Sequence, residues 1–227
     1  TYTTFEALAT YEKQIKNHTF KLLAGTSVEQ SNNKGLEGYR NTFPNNYLYE
    51  LGSGDKSTAT NDSSLEEYAL LSFFGRINYA WKDRYLLEAN LRYDGSSRFA
   101  DGHRWGLFPS VSAGWRISEE DFWKNAAVSA VVDNLKLRLS YGLAGADNID
   151  ASLWRETWKT GTTTYNGNVV STYEPNGMKA NPDLKWETTT SRNIGFDFGL
   201  WGSRLSGTLD LYWNTTSDLL MRQEIDS

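Results

Sequence analysis

Apolar and polar side chains alternate along most of this chain. Tyr85, Leu87, Ala89, Leu91 and Tyr93 share one parity, and Glu88, Asn90, Arg92 and Asp94 share the other. Val111, Ala113, Trp115 and Ile117 alternate with Ser110, Ser112, Gly114 and Arg116. Leu135, Leu137, Leu139, Tyr141 and Leu143 alternate with Lys136, Arg138, Ser140 and Gly142. Ile194, Phe196, Phe198 and Leu200 stand against Asn193, Gly195, Asp197 and Gly199, and Leu205, Leu209, Leu211 and Trp213 against Ser206, Thr208, Asp210 and Tyr212. A period of two is that of a strand, whose side chains point to opposite faces in turn. With weaker versions over 5–15, 18–30 and 68–81, the pattern predicts an all-β chain of about eight strands.

The connections alternate in length. Lys16-Asn17-His18, Trp81-Lys82-Asp83 and Trp201-Gly202-Ser203 read as tight turns, whereas 31–66, 95–105 and 145–183 read as long polar loops. The remaining short-side link, 118–133, reads as a capped helical turn with Ser118 as N-cap and acids in its first turn. Short links at one end and long loops at the other suit a barrel that crosses an outer membrane, with short periplasmic turns and long extracellular loops. Two other folds fit the alternation: a soluble carbohydrate-binding sandwich, and a complete barrel of eight strands with a structural or adhesive role. Strand length favours the membrane, because several strands exceed the soluble mode of about 5–6 residues. So do the aromatics gathered near strand ends, at Tyr79, Trp81, Phe122, Trp123, Trp201 and Trp213.

Composition narrows the classes further. Nine Trp, thirteen Tyr and ten Phe in 227 residues are too many for a disordered chain. The balance of 23 Lys plus Arg against 28 Asp plus Glu argues against a nucleic-acid partner. No cysteine is present, which excludes disulfides and Cys-based zinc sites. No apolar run reaches the roughly 18–20 residues of a membrane helix, a limit that leaves barrels untouched. The chain opens Thr1-Tyr2-Thr3-Thr4 without a signal-peptide pattern and stops at Glu224-Ile225-Asp226-Ser227 without a closing element, so it reads as part of a longer polypeptide.

A series of segments carries a family resemblance. It runs from Tyr68-Ala69-Leu70-Leu71-Ser72-Phe73-Phe74-Gly75-Arg76-Ile77-Asn78-Tyr79 through Asp83-Arg84-Tyr85-Leu86-Leu87 to Arg92-Tyr93-Asp94-Gly95-Ser96-Ser97-Arg98-Phe99. It continues in 104–117, in Leu135-Lys136-Leu137-Arg138-Leu139-Ser140-Tyr141-Gly142, and in Asn181-Pro182-Asp183-Leu184-Lys185-Trp186-Glu187. In order and spacing these resemble the barrel of SusC/RagA-type TonB-dependent transporters of Bacteroidota, densely over 68–221 and loosely over 1–67. The resemblance implies an antiparallel transmembrane β-barrel segment, part of a 22-stranded barrel in the outer membrane. It implies import of oligosaccharides or peptides under a SusD-like lipoprotein lid, with energy from the TonB complex. The plug domain, TonB box and signal peptide of such proteins are absent from 1–227, so this segment is expected neither to transport alone nor to tolerate its open strand edges in isolation.

Candidate sites are few. Gly52-Ser53-Gly54-Asp55-Lys56-Ser57-Thr58 looks like a phosphate loop but lacks its spacing and its leading strand, so it reads as a polar loop. His18 and His103 have no clustered partners, the first expected in a turn and the second in a loop, so no zinc is expected. Asp147, Asn148 and Asp150 offer hard oxygens for calcium without its loop spacing, and read as a solvated turn. No catalytic elbow or fixed carboxylate pair points to an enzyme, and no cofactor motif is present. A lumen-facing polar set is expected from Arg76, Glu88, Arg92, Asp94, Lys136, Arg138, Arg192 and Asp197, meeting plug and solute or pairing across strands. Asp94-Gly95 is expected to begin a loop, with Gly95 at positive φ. Trp154, Trp158, Tyr165 and Tyr173, set among Thr, Asn and Gly, are the candidate substrate contacts.

Overall fold

Alternating segments with one apolar face need lateral hydrogen-bonding partners, and here each finds them in its sequence neighbours. A computed structural model describes residues 1–221; the closing Glu224–Ser227 lies outside them. The main sheet is antiparallel and holds β1 (Tyr2–Ile15), β2 (His18–Tyr39), β3 (Thr60–Trp81), β4 (Tyr85–Ser96), β5 (Trp105–Arg116) and β6 (Val132–Ala146). A hairpin of β7 (Trp158–Tyr165) and β8 (Asn168–Pro175) interrupts it as a separate two-stranded sheet. The ladder then resumes with β9 (Glu187–Leu200) and β10 (Leu205–Ser217), and β9 pairs with β6. β1 and β10 are the two edges and do not pair with each other, so the sheet is open. That removes the reading of a complete eight-stranded barrel. Among the described residues no second sheet covers the apolar face, where Ile77, Leu87 and Val111 are each more than half exposed, and the sandwich reading fails with it.

Four local expectations are corrected. β2 and β3 continue well past the alternating segments, in register from Asn32↔Glu67 to Tyr39↔Thr60. Both faces of that extension are exposed, so no apolar period marks it. Asp94 and Gly95 belong to β4, and Gly95 has no positive φ. Its role is clearance: a Cβ there would stand 2.9 Å from the Trp105 indole. His18 opens β2 instead of sitting in the turn, hydrogen-bonded to the Tyr79 hydroxyl at 2.8 Å. Ser118 lies in a 3-10 turn, Ile117–Glu119, and does not cap the helical turn α1 (Asp121–Lys124).

The residue that fastens this link is Glu120, buried at the N-terminus of α1. Its carboxylate accepts from the Tyr85 hydroxyl at 2.6 Å, from the Trp115 indole N–H at 3.0 Å and from Arg84 at 2.7 Å. Two adjacent hairpin ends are thereby tied to one acid. The hydrogen bonds from Tyr85 and Trp115, with the Arg84 charge behind them, hold the Glu120 carboxyl below its ordinary range. Because the folded-state value is depressed, its stabilisation is complete above about pH 5 and is lost as pH falls through the folded value. Glu120→Ala in the full-length protein is expected to lower the thermal unfolding midpoint by about a degree at neutral pH. The difference from wild type should shrink in acid, and calorimetry at pH 7 and pH 3 checks both.

A small core sits at the long-loop end of the polar face. β6 parts from β5 after Ser110↔Gly142 but stays paired with β9 up to Ala146↔Glu187. The wedge is filled by Phe99, Phe108 and Trp186, all buried, with Leu70, Ile149 and Leu184 around them. Phe108 and Trp186 meet edge to face at 5.2 Å, and the Trp186 N–H donates to the Arg104 carbonyl at 2.8 Å. Gly106 and Gly145 give the Phe108 ring its room, since a Cβ on either would collide with it.

Candidate functional site

The two faces of one sheet present different chemistry. On the polar face, Arg76 Nε donates to Asn90 at 2.6 Å, and Asn90 in turn donates to Glu88 at 2.8 Å. Arg92 donates to Asp94 at 2.7 Å and to Ser72 at 2.8 Å. Asp94 is buried, and its second oxygen has no partner among the described residues. Arg138 joins three strands by meeting Asp197 at 2.9 Å and Asp210 at 3.1 Å. Lys136 lies along Gly114. The seven residues Arg76, Glu88, Arg92, Asp94, Lys136, Arg138 and Asp197 therefore share this face, mostly as cross-strand pairs.

Arg192 does not share it. It pairs with Tyr141 on β6 and Trp213 on β10, so it shares the face of Leu139, Ile194 and Leu211. The reason is parity: 192 falls in step with 194 and 196, and the guanidinium rests 5.8 Å from the Tyr141 ring centre.

Two rows of aromatics bound the apolar face. At the short-turn end His18, Trp81, Tyr85 and Trp115 stack in sequence across β2 to β5, with centroids 6.3, 5.4 and 6.4 Å apart. At the other end Phe73 and Tyr93 flank Trp105 at 6.3 and 4.6 Å. Tyr141 and Trp213 lie toward the same end of their strands. Beyond Trp213, β10 turns from leucines to Thr215 and Ser217 on this face. From Phe73 to Trp81, or Tyr93 to Tyr85, the chain rises about 26 Å at about 3.3 Å per residue. A strand tilt of about 40° leaves about 20 Å between the rows, and the rings extend it toward the roughly 25 Å of an outer-membrane apolar band.

The long-loop end holds the candidate contacts. Asp147 accepts from Ser96 at 2.6 Å and from Tyr68 at 3.1 Å, while Arg98 donates to its carbonyl at 3.0 Å and stacks on Tyr68 at 4.3 Å. These bonds tie the start of the 147–186 connection to β3 and β4, and they engage Asp147, one of the two acids that offered oxygens for calcium. In the loop that resembles a phosphate site, the Ser57 N–H and hydroxyl both donate to Asp55 at 2.9 Å, so an acid occupies those donors. His103 sits 3.9 Å from Asp183.

Of the four loop aromatics, two come together. Trp158 opposes Pro175, and Tyr173 opposes Thr160, which puts Trp158 and Tyr173 on one face of the β7–β8 hairpin, both exposed. Tyr165 is on the opposite face, and Trp154 precedes the hairpin with Arg155 over its ring at 5.5 Å. Near the hairpin base lies a cleft of about 620 Å³ whose lining includes Glu66, Glu67, Arg155, Thr157 and Asn176. The hairpin was readable in principle. Asn166 and Gly167 both have positive φ, the two-residue turn that an Asn-Gly pair favours. The cleft was not, because Glu66 and Arg155 meet only through the fold.

The whole chain, residues 1–227, matches the family described as "TonB dependent receptor-like, beta-barrel". It is 35% identical over 214 residues to TonB-dependent receptor P26 of Formosa agariphila, an alignment covering 93% of this chain and 21% of that protein. It is 34% identical over 222 residues to TonB-dependent receptor SusC of Bacteroides thetaiotaomicron, covering 92% of this chain and 20% of that one. Among solved structures it resembles the RagAB peptide transporter, with a TM-score of 0.85 at 26% identity, covering 96% of this chain and 24% of that one. The chain thus spans about a fifth of the length of the curated relatives it matches.

Proposed function

Given that this chain belongs to the TonB-dependent receptor β-barrel family, we propose that it is a section of the wall of an outer-membrane nutrient importer. The observation that carries the reading is the single uncovered sheet, with its apolar face bracketed by two aromatic rows. The apolar face meets lipid, the polar face lines the lumen, and the short turns point to the periplasm. The plug, the strands that close the barrel and the segment that engages the TonB complex belong to parts of the protein outside this chain. The cargo is an oligosaccharide or a peptide, and a SusD-like lipoprotein covers the long-loop end. The names of two relatives, SusC and the RagAB peptide transporter, support that pairing of cargo and partner.

Within this segment, the cargo contacts are the Trp158–Tyr173 face of the hairpin and the cleft beside it. Flat rings next to hydrogen-bonding Thr, Asn and charged groups suit sugar rings and peptide backbones alike. An aromatic contact contributes about 0.5–1.5 kcal/mol beyond its buried area. Trp158→Ala with Tyr173→Ala in the full-length importer is therefore expected to weaken cargo uptake about tenfold, with outer-membrane abundance unchanged. Uptake of labelled oligosaccharide and labelled peptide, measured side by side in cells carrying either version, identifies the cargo class and tests the contact. Uptake of neither by the wild-type importer would sink the proposal.

A further inference from the structure

Arg192 is a cation on the mainly apolar face, whose other cation, Lys13, lies near the short-turn end. It stands between Tyr141 and Trp213, nine residues along its strand from the Trp201 turn as Phe73 is eight from Trp81. The stagger of tilted strands thus lifts it to the outer row, although its ladder line runs through Val111 and Ala89 to Ile77. Among the described residues its guanidinium has only the Tyr141 ring for company. Between the two aromatic rows this face carries no carboxylate on any strand of the main sheet. A shallow apolar trough of about 750 Å³ leads away from it across the face, lined by Ile77, Leu87, Val111, Leu139, Ile194 and Trp213 among others. Small residues, Ala89 and Ala113, form part of its floor.

We propose that Arg192 and this trough form a site for one phosphorylated lipid of the outer leaflet, the phosphate on the guanidinium and acyl chains in the trough. The inference rests on the membrane reading above. A guanidinium at the edge of an apolar band holds its charge at headgroup level. There its planar donors match phosphate oxygens two at a time, and the Tyr141 ring beside it favours its orientation. A second copy of this face is a poorer occupant, because it would bring no acid to meet the cation. The trough supplies the complementary half, an apolar channel long enough for chains and open along its length.

The test uses the full-length protein in nanodiscs of phosphatidylcholine doped with lipid A, comparing wild type with Arg192→Gln and Arg192→Lys. Native mass spectrometry reads the lipid A retained per protein. Wild type should enrich lipid A over its bulk fraction, Arg192→Gln should lose that enrichment about tenfold, and Arg192→Lys should fall between them. Dephosphorylated lipid A should be enriched by none of the three. Lys13→Gln, a cation on the same face toward the opposite end, should behave as wild type. Equal retention by wild type and Arg192→Gln, or enrichment that ignores the phosphate, overturns the site. So does a loss of self-association in Arg192→Gln without a change in lipid, which would assign the residue to a contact between copies. If wild type fails to enter nanodiscs as a barrel, the membrane reading fails first, and that is seen before any lipid is counted.

Discussion

Ile77→Arg in the full-length protein is expected to cost about 2–4 kcal/mol of stability in the membrane, the depth-dependent penalty of a cation near the midplane of a barrel's lipid face. Ile77 lies midway between Phe73 and Trp81 on β3, flanked by Leu22 and Ala89, and is more than half exposed on the apolar face. An arginine there cannot bring its charge to either aromatic row without crossing several ångströms of hydrocarbon. Thr190→Arg supplies the contrast. Its parity is that of Arg192 and it pairs with Leu143 and Thr215, one step beyond the outer row. At that height the penalty falls to about 0–1 kcal/mol. Denaturant titration of the protein refolded into liposomes measures both. Similar costs for the two variants would mean that depth on this face is irrelevant, and hence that lipid does not cover it.

The second large effect belongs to the small core at the loop end. Phe108→Ala removes a buried ring held between Gly106, Gly145 and Trp186, a change that typically costs about 3–5 kcal/mol. The loss is local in character. β5 keeps its ladder with β4 and with the lower part of β6, so the barrel wall should persist while residues 97–104 and 147–157 loosen. Hydrogen exchange on the full-length protein is expected to show faster exchange in those segments and unchanged protection at 85–93 and 135–141. Gly145→Leu should loosen the same segments from the other side, by displacing the ring instead of deleting it. Uniform loss of protection would show that the core supports the whole sheet.

What the sequence made legible follows the physics of each face. Strands with one face in an apolar setting announced themselves, as Tyr85 to Tyr93 and Leu135 to Leu143 do, because selection for greasy alternate positions leaves a period of two. Where both faces meet water the period disappears, so the pairing of Asn32 to Tyr39 with Thr60 to Glu67 was invisible although its register is regular. The β7–β8 hairpin hid for the same reason, with only Asn166-Gly167 to mark it. Glu120 could be seen as an acid near a helical turn, but Tyr85 and Trp115 reach it only through strand register. Arg192 shows the opposite error. Its charge suggested the polar face, whereas its parity already assigned it to the apolar one, and backbone geometry overrides side-chain preference when a whole strand is committed.

The most direct test of the central claim is lipid and water accessibility along β5. Single Cys variants at successive positions from Leu107 to Trp115 in the full-length protein, spin-labelled in nanodiscs, report collisions with oxygen and with a water-soluble nickel chelate. The wall reading predicts a period of two, with oxygen access high at Leu107, Val111 and Ala113 and low at Phe108, Ser110 and Ser112. Uniform accessibility along the strand, or odd positions shielded from both reagents, would contradict it, because the apolar face would then be covered by protein instead of lipid.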